Sequence, residues 1–159
     1  MGCSTRVVTV RPATPEDAAP LATIARLLGL QATAADIAAD VFRYEGGFYA
    51  AEIDKQITGF LVVRNGECPP CVIARSPLQL WRIYIHPDLH GSGVASRLLS
   101  AAMEHARANN HDTIWLGTGK DNARAASFYR KAGFEIAGVA QVFHGSGSHK
   151  DVIMTRPAI

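Results

Sequence analysis

Ile83-Tyr84-Ile85-His86-Pro87-Asp88-Leu89-His90-Gly91-Ser92-Gly93-Val94-Ala95 is a β-branched and aromatic run that turns through glycines into a helical pattern. The strand begins at Leu78 and is stopped by His86-Pro87-Asp88. Beyond Gly93, residues Val94, Leu98, Leu99, Ala102 and Ala106 recur at helical spacing, and the pattern ends near Asn109-Asn110. Such a loop gathers unpaired backbone N–H groups at the positive end of a helix dipole, which suits an anion such as a pyrophosphate. Gly91 and Gly93 permit unusual φ values and close backbone approach, and Ala95 leaves the first helical turn uncluttered. No Gly-Lys-Ser/Thr ends the loop, and the last glycine of a dinucleotide fingerprint is missing. Taken alone, an ordinary glycine-rich strand-to-helix turn reads equally well.

Outward from this stretch the chain alternates strands and helices. Val7 to Val10 reads as a strand, and Thr14-Pro15-Glu16-Asp17 as the start of a helix that runs from Ala18 to Leu28 and stops at Gly29. Thr33 opens a second helix to about Tyr44. Gly47 to Ile53 and Ile57 to Val63 form a hairpin across Asp54-Lys55-Gln56, followed by a loop from Arg64 to Pro77. Thr113 to Leu116 is strand-like, Ala123 to Ala132 is a helix stopped by Gly133, and Phe134 to Ala140 and Val152 to Thr155 are final strands. The polar segment Phe143-His144-Gly145-Ser146-Gly147-Ser148-His149-Lys150 reads as a mobile hairpin loop, the kind of segment on which functional contacts concentrate. The class is α/β, in one domain over residues 1–159 with no internal repeat.

Composition narrows the functions. With 159 residues, 48% hydrophobic and 19% charged, the chain can bury a real core, and no apolar run reaches the roughly 20 residues of a membrane span. The N-terminus carries neither a myristoylation signal nor an apolar leader pattern, so a soluble, cytoplasmic protein is expected. A net charge of +2 with scattered Lys and Arg does not imply nucleic acid. Cys3, Cys68 and Cys71 are too few for a disulfide framework, and Cys68-Pro-Pro-Cys71 lacks the second pair that a zinc site needs.

A second motif follows the first by about thirty residues. Asn122-Ala123-Arg124-Ala125-Ala126-Ser127-Phe128-Tyr129-Arg130-Lys131-Ala132-Gly133-Phe134 is a helix with small residues, an aromatic pair and a glycine stop. With this pair in order, the chain resembles the GNAT superfamily of N-acetyltransferases. The coenzyme A loop of that family reads Gln/Arg-x-x-Gly-x-Gly/Ala, and its later motif reads Asn-x-x-Ala-x-x-Phe-Tyr-x-x-x-Gly-Phe. His90 to Ala95 resembles the first and Asn122 to Phe134 matches the second throughout. The likeness is specific over roughly Leu78 to Arg156 and looser before it. It implies the acyl-CoA N-acyltransferase fold, a central mixed sheet of about six to seven strands flanked by about four helices.

The resemblance also implies roles. The backbone of Ile83 would hold the acetyl carbonyl of acetyl-CoA, and that of Ile85 would pair with the pantetheine arm as an added strand would. His90 and the amides of Gly91, Ser92, Gly93, Val94 and Ala95 would grip the pyrophosphate. Asn122 would hydrogen-bond the cofactor arm, although a helix N-cap is the other reading of that residue. Tyr129 would protonate the departing thiolate, although it also reads as a core aromatic. No metal is implied. Two positions depart from the family pattern: Gln79 stands where many members carry a strand Glu, leaving the general base unassigned, and His90 replaces Gln or Arg in the loop. Arg97 or Lys120 are candidates to supply the missing charge. His86 reads as structural, and Glu45, His144 and Asp151 are candidates to line the acceptor side.

The acceptor implied is a primary amine of a small molecule, and the C-terminal half is similar to small bacterial acetyltransferases that include polyamine N-acetyltransferases. Protein or peptide amines, amino acids and aminoglycoside-like drugs stay open, as does a homodimer. The competing readings are an acyl-CoA sensor that lacks turnover and a phosphate-binding or mononucleotide-binding α/β module, which the loop disfavours for want of its Lys and Ser/Thr.

Overall fold

The computed structural model describes residues 7–144 and 147–158. Seven strands and four helices follow one another as β1 (Thr9–Pro12), α1 (Ala18–Leu27), α2 (Ala34–Arg43), β2 (Phe48–Ile53), β3 (Gln56–Arg64), β4 (Pro77–Ile85), α3 (Val94–Ala108), β5 (Thr113–Gly119), α4 (Ala123–Lys131), β6 (Glu135–His144) and β7 (Gly147–Pro157). The strand order is β1-β2-β3-β4-β5-β7-β6. β4 and β5 run parallel, while β1–β2, β2–β3, β5–β7 and β6–β7 are antiparallel, so the sheet is mixed as expected. No helix among the described residues is long and apolar enough to cross a membrane.

The chain divides into two compact units, one made of the residues up to Val63 with Arg82–Glu104, the other of Arg64–Trp81 with the residues from His105 onward. In the first, Thr33 caps α2 by accepting from the Asp36 amide, and Gly29, at φ 90, ends α1 where only a glycine turns without strain. Asp54 and Lys55, both at positive φ, make the tight turn between β2 and β3. From Thr58 to Val63 every residue of β3 is buried, so the strand shows no alternation of apolar and polar positions. Phe60 stacks on Phe48 at 5.3 Å and meets the edge of Tyr84 at 5.2 Å.

A polar cluster ties β1 to its surroundings in this unit. The Arg11 guanidinium donates to both carboxylate oxygens of Asp17 at 2.8 Å, and its Nε donates to Glu52. The hydrogen bonds from Arg11, joined by one from the Thr14 amide, hold the Asp17 carboxyl down to about 2 against an ordinary 3.8. A carboxyl depressed in the folded state stabilises above its unfolded value and loses that contribution as pH falls through the folded one. Between about pH 4 and pH 2 the protein therefore loses stability through Asp17. Arg11→Met should flatten that part of the pH dependence, which urea midpoints across the window measure.

In the second unit β7 lies between β5 and β6. Ile114, Leu116, Phe134 and Met154 are buried, and the loop after β3 packs Cys68, Cys71 and Ala74 with Ala140 around Val72, Trp115 and Ile153. Gly133, at φ 97, ends α4, and Arg156 donates to the Ala132 carbonyl at 2.7 Å.

Two expectations are corrected here. The segment 143–150 is not a long loop: β6 runs to His144 and β7 starts at Gly147, with Phe143 opposite Ser148 and His144 opposite Gly147. Backbone pairing to a neighbouring strand holds residues whose side chains carry no strand signal; Gly145 and Ser146 lie outside the described residues. β5 also continues past Leu116 to Gly119. The edge shared with β7 keeps the residues beyond Leu116 in the sheet, from Gly117 opposite Ile153 to Gly119 opposite Asp151.

Candidate active site

The expected site residues fall into two sets, one in each unit. Ile83, Ile85 and the run from His90 to Ala95 belong to the first; Asn122 and Tyr129 belong to the second.

In the first unit β4 delivers its end directly into the glycine loop. Gly59 on β3 makes room for this, because a Cβ there would stand 2.7 Å from the Tyr84 carbonyl oxygen and 3.2 Å from Val94 Cγ1. The His86 amide donates to the Thr58 carbonyl at 2.8 Å, and His86 Nδ1 accepts from the Asp88 amide at 3.1 Å. His86 thereby caps the short 3-10 turn Pro87–Leu89, the structural role expected of it. Ser92 folds back, its hydroxyl and its amide both donating to the Leu89 carbonyl. Gly91 and Gly93 have φ of 81 and 91, with open space where a Cβ would point, so backbone conformation rather than crowding demands glycine.

The first helical bond runs from the Arg97 amide to the Gly93 carbonyl at 3.1 Å. The amides of Val94, Ala95 and Ser96 precede it and have no acceptor within the helix, so they form a donor set at the positive end of a 15-residue helix. Val94 is fully buried and anchors that end, whereas His90, Gly91, Gly93 and Arg97 are exposed. The arrangement can receive a phosphate group without moving the core.

In the second unit the β4–β5 ladder is short. It spans Pro77–Thr113, Leu78–Ile114 and Gln79–Trp115, while β5 goes on to Gly119. Leu80 and Trp81 thus lie beyond the last paired residue, and strand edges that end a ladder early can accept an extended chain in place of a strand. At the far end of β5 the Asn122 amide donates to the Gly119 carbonyl at 2.9 Å, and Asn122 Oδ1 accepts from the Ala125 amide at 3.1 Å. The N-cap reading of Asn122 therefore holds; its side-chain N–H groups take no part in the cap bond. Asn122→Ala should cost about 1 kcal/mol of stability, and Asn122→Asp, which keeps the capping oxygen, much less. Thermal melts of the two variants check this.

Tyr129 is 8% exposed, edge-on to Phe128 at 5.3 Å and to Phe134 at 5.6 Å. Burial pushes its phenol up to about 12, so it stands protonated across the neutral range. The core-aromatic reading and the chemical one are compatible, since the ring packs while the hydroxyl keeps its proton.

Gln79, in the place of the family's strand Glu, accepts from Arg64 Nε at 2.8 Å. The Arg64 guanidinium also lies 4.1 Å from the Trp81 ring centroid, a cation–π contact. A Cβ on Gly66 would stand 2.5 Å from Gln79 Oε1, so the loop backbone closes against this amide. The sequence reading missed the Arg64–Gln79–Trp81 set; the every-other spacing of Gln79 and Trp81 on one strand was its only signal. Cys68 and Cys71 are free thiols, with Cys71 packed on Gly138. Among the described residues no three His, Cys, Asp or Glu side chains gather as a metal would need. Glu45 is exposed at the end of α2, and the His144 side chain lies outside the described residues.

Residues 20–134 match the Acetyltransferase (GNAT) family, and the chain belongs to it. An uncharacterized N-acetyltransferase of Mycobacterium tuberculosis is 28% identical over 109 residues, which make up 69% of this chain and 65% of that protein. The match therefore spans less than two thirds of that relative's length. In fold, the chain is similar to Ard1 from Thermoplasma volcanium, with a TM-score of 0.79 at 23% identity, covering 96% of this chain and 98% of that one. It is also similar to the PaiA N-acetyltransferase from Thermoplasma acidophilum, a structure in complex with coenzyme A, with a TM-score of 0.71 at 20% identity over 95% and 99%.

Proposed function

We propose that this chain acts as a single N-acetyltransferase domain that moves the acetyl group of acetyl-CoA onto a primary amine by direct attack in a ternary complex. The observation that carries the reading is the glycine loop at the start of α3, with two glycines at positive φ and the helix-start amides of Ala95 and Ser96, residues that are not buried and whose amides have no acceptor within the helix. The cofactor complex of PaiA supports coenzyme A as that anion's source.

In this reading the loop from His90 to Ala95 takes the pyrophosphate, the β4 backbone at Ile85 takes the pantetheine amides, and the Ile83 N–H takes the thioester oxygen. The amine nitrogen attacks the thioester carbon, the C–N bond forms and the C–S bond breaks. The proton lost from nitrogen leaves to water, since Gln79 cannot accept it and His86 is engaged in its turn. Negative charge on the oxygen is met by the Ile83 N–H, and charge on sulfur by the Tyr129 hydroxyl. Because the phenol sits near 12, far above an ordinary thiol at about 8.5, full proton transfer to sulfur is uphill. Tyr129 therefore acts as a hydrogen-bond donor to the leaving sulfur, which is finally protonated from solvent. A small-molecule amine is the acceptor class favoured, and the cytoplasm the compartment, on the cysteine usage.

Titration calorimetry with acetyl-CoA tests the cofactor half of the reading. Micromolar binding is expected, and no binding to a folded protein overturns it.

A further inference from the structure

The two edges of the sheet are built differently. At one end of the strand order β1 covers only Thr9–Pro12 and carries Arg11 and Pro12, the short, charged and proline-bearing kind of edge that resists pairing with another chain. At the other end β6 runs from Glu135 to His144, and its one strand partner among the described residues is β7. From Ile136 to Phe143 it holds no charged residue and no proline. A register shift between Ile136 and Gly138 bends its start, and from Gly138 opposite Ile153 to His144 opposite Gly147 the ladder is regular. Alternate residues of such a strand turn their N–H and C=O away from the partner, so the rim of this stretch is a template for a further strand.

Apolar side chains gather at the same edge. The exposed large hydrophobic residues described in the second unit are Ile73, Ile136 and Val139, at 94%, 49% and 58%. Ile136 lies opposite Met154 and Val139 opposite Val152, so both stand on one face of β6. On the other face, where Gly138 lies opposite Ile153, the loop after β3 comes against the strand: a Cβ on Gly138 would stand 2.8 Å from Cys71 Cβ. That loop carries Ile73 two residues further on. A strand rim with exposed apolar groups beside it is the pattern of an interface rather than of a solvated edge.

Charge and symmetry select the occupant. A neutral rim gives a charged peptide nothing to recognise, since added strands are chosen by the side-chain groups beside the edge. An antiparallel two-fold pairing within the neutral run sets no like charges opposite one another, and it places the apolar residues of each copy beside those of the other. We propose that β6 is a dimerisation edge: β6 of a second copy of this chain pairs with it antiparallel, and the sheet continues across the two copies. The proposal is independent of the acetyl-transfer reading, and neither falls with the other.

The test is sedimentation velocity of the full chain across the micromolar range, with hydrogen exchange read by mass spectrometry at both ends of that range. Wild type should pass from monomer to dimer, and the backbone amides between Gly138 and His144 should exchange more slowly at the higher concentration. Val139→Lys, which sets a charge at an exposed position on the rim, should weaken the dimer by at least about tenfold, with the thermal midpoint at low concentration close to that of wild type. Phe42→Lys removes an exposed aromatic from α2 in the first unit and should leave the dimer as it is. A wild type that stays monomeric throughout overturns the proposal, since the edge is then open or takes another chain. So does a dimer that Phe42→Lys dissolves and Val139→Lys does not, or one whose β6 amides exchange at the same rate at both concentrations. Acetyl-CoA binding is read separately by calorimetry, and its absence in wild type defeats the acetyl-transfer reading and not this one.

Discussion

Gly93→Asp should reduce the affinity for coenzyme A by at least about 100-fold, close to 3 kcal/mol, while leaving the protein folded. Gly93 is at φ 91, so any side chain there carries left-handed strain of about 1–2 kcal/mol, and the aspartate adds a negative charge at the helix end where a pyrophosphate is expected. Nothing lies within 4 Å of the position a Cβ would take, so the substitution displaces no packed group and the fold has no reason to fail. Gly93→Ala separates the two contributions: it carries the strain without the charge and should lose no more than about tenfold. Calorimetry on both variants, with thermal melts as the folding control, reads the difference. Equal losses in the two would mean that backbone geometry alone, and not the charge, makes the site.

Tyr129→Phe should lower kcat by about 10²-fold or more, with acetyl-CoA affinity nearly intact. The ring keeps its contacts with Phe128 and Phe134, so only the hydroxyl is lost. With the phenol pushed up to about 12, the donor form persists far into alkaline solution, so wild-type kcat should show no falling limb from this group up to about pH 10. A falling limb near pH 10 that vanishes in the Phe variant would show that the phenol ionises more easily and transfers its proton outright. Near-normal kcat in the variant would remove Tyr129 from the chemistry and leave it as a packing residue.

The parts of this site that could be read in the sequence are those whose physics is local. The loop from His90 to Ala95 follows from two glycines and a helix start, and the structure gives both glycines positive φ. The helix boundaries at Thr33, Gly29 and Gly133 were legible because caps and stops act within a turn of the residue that makes them. What escaped was set by pairing across distance. β6 runs on to His144 and β7 starts already at Gly147, in a stretch with little strand signal, because each backbone has the other as a ladder partner. Gly117 looks like the end of a strand until Asp151, more than thirty residues on, is found lying against it. Gln79 reads as a lost base, and only the fold brings Arg64 to its amide. Asn122 was legible in both of its readings, and the cap bond to Ala125 is the one the structure displays.

The central claim, acetyl transfer from acetyl-CoA to an amine, is most directly tested in one reaction that counts free thiol and acetylated amine together. With purified protein, acetyl-CoA and a panel of polyamine, amino-acid, peptide and aminoglycoside amines, the account predicts for the accepted amine one mole of acetylated product, identified by mass spectrometry, for each mole of thiol released. Thiol release without acetylated amine, or neither product from a protein that binds acetyl-CoA tightly, would contradict it and point to a binding module in which the loop is kept and the transfer is not.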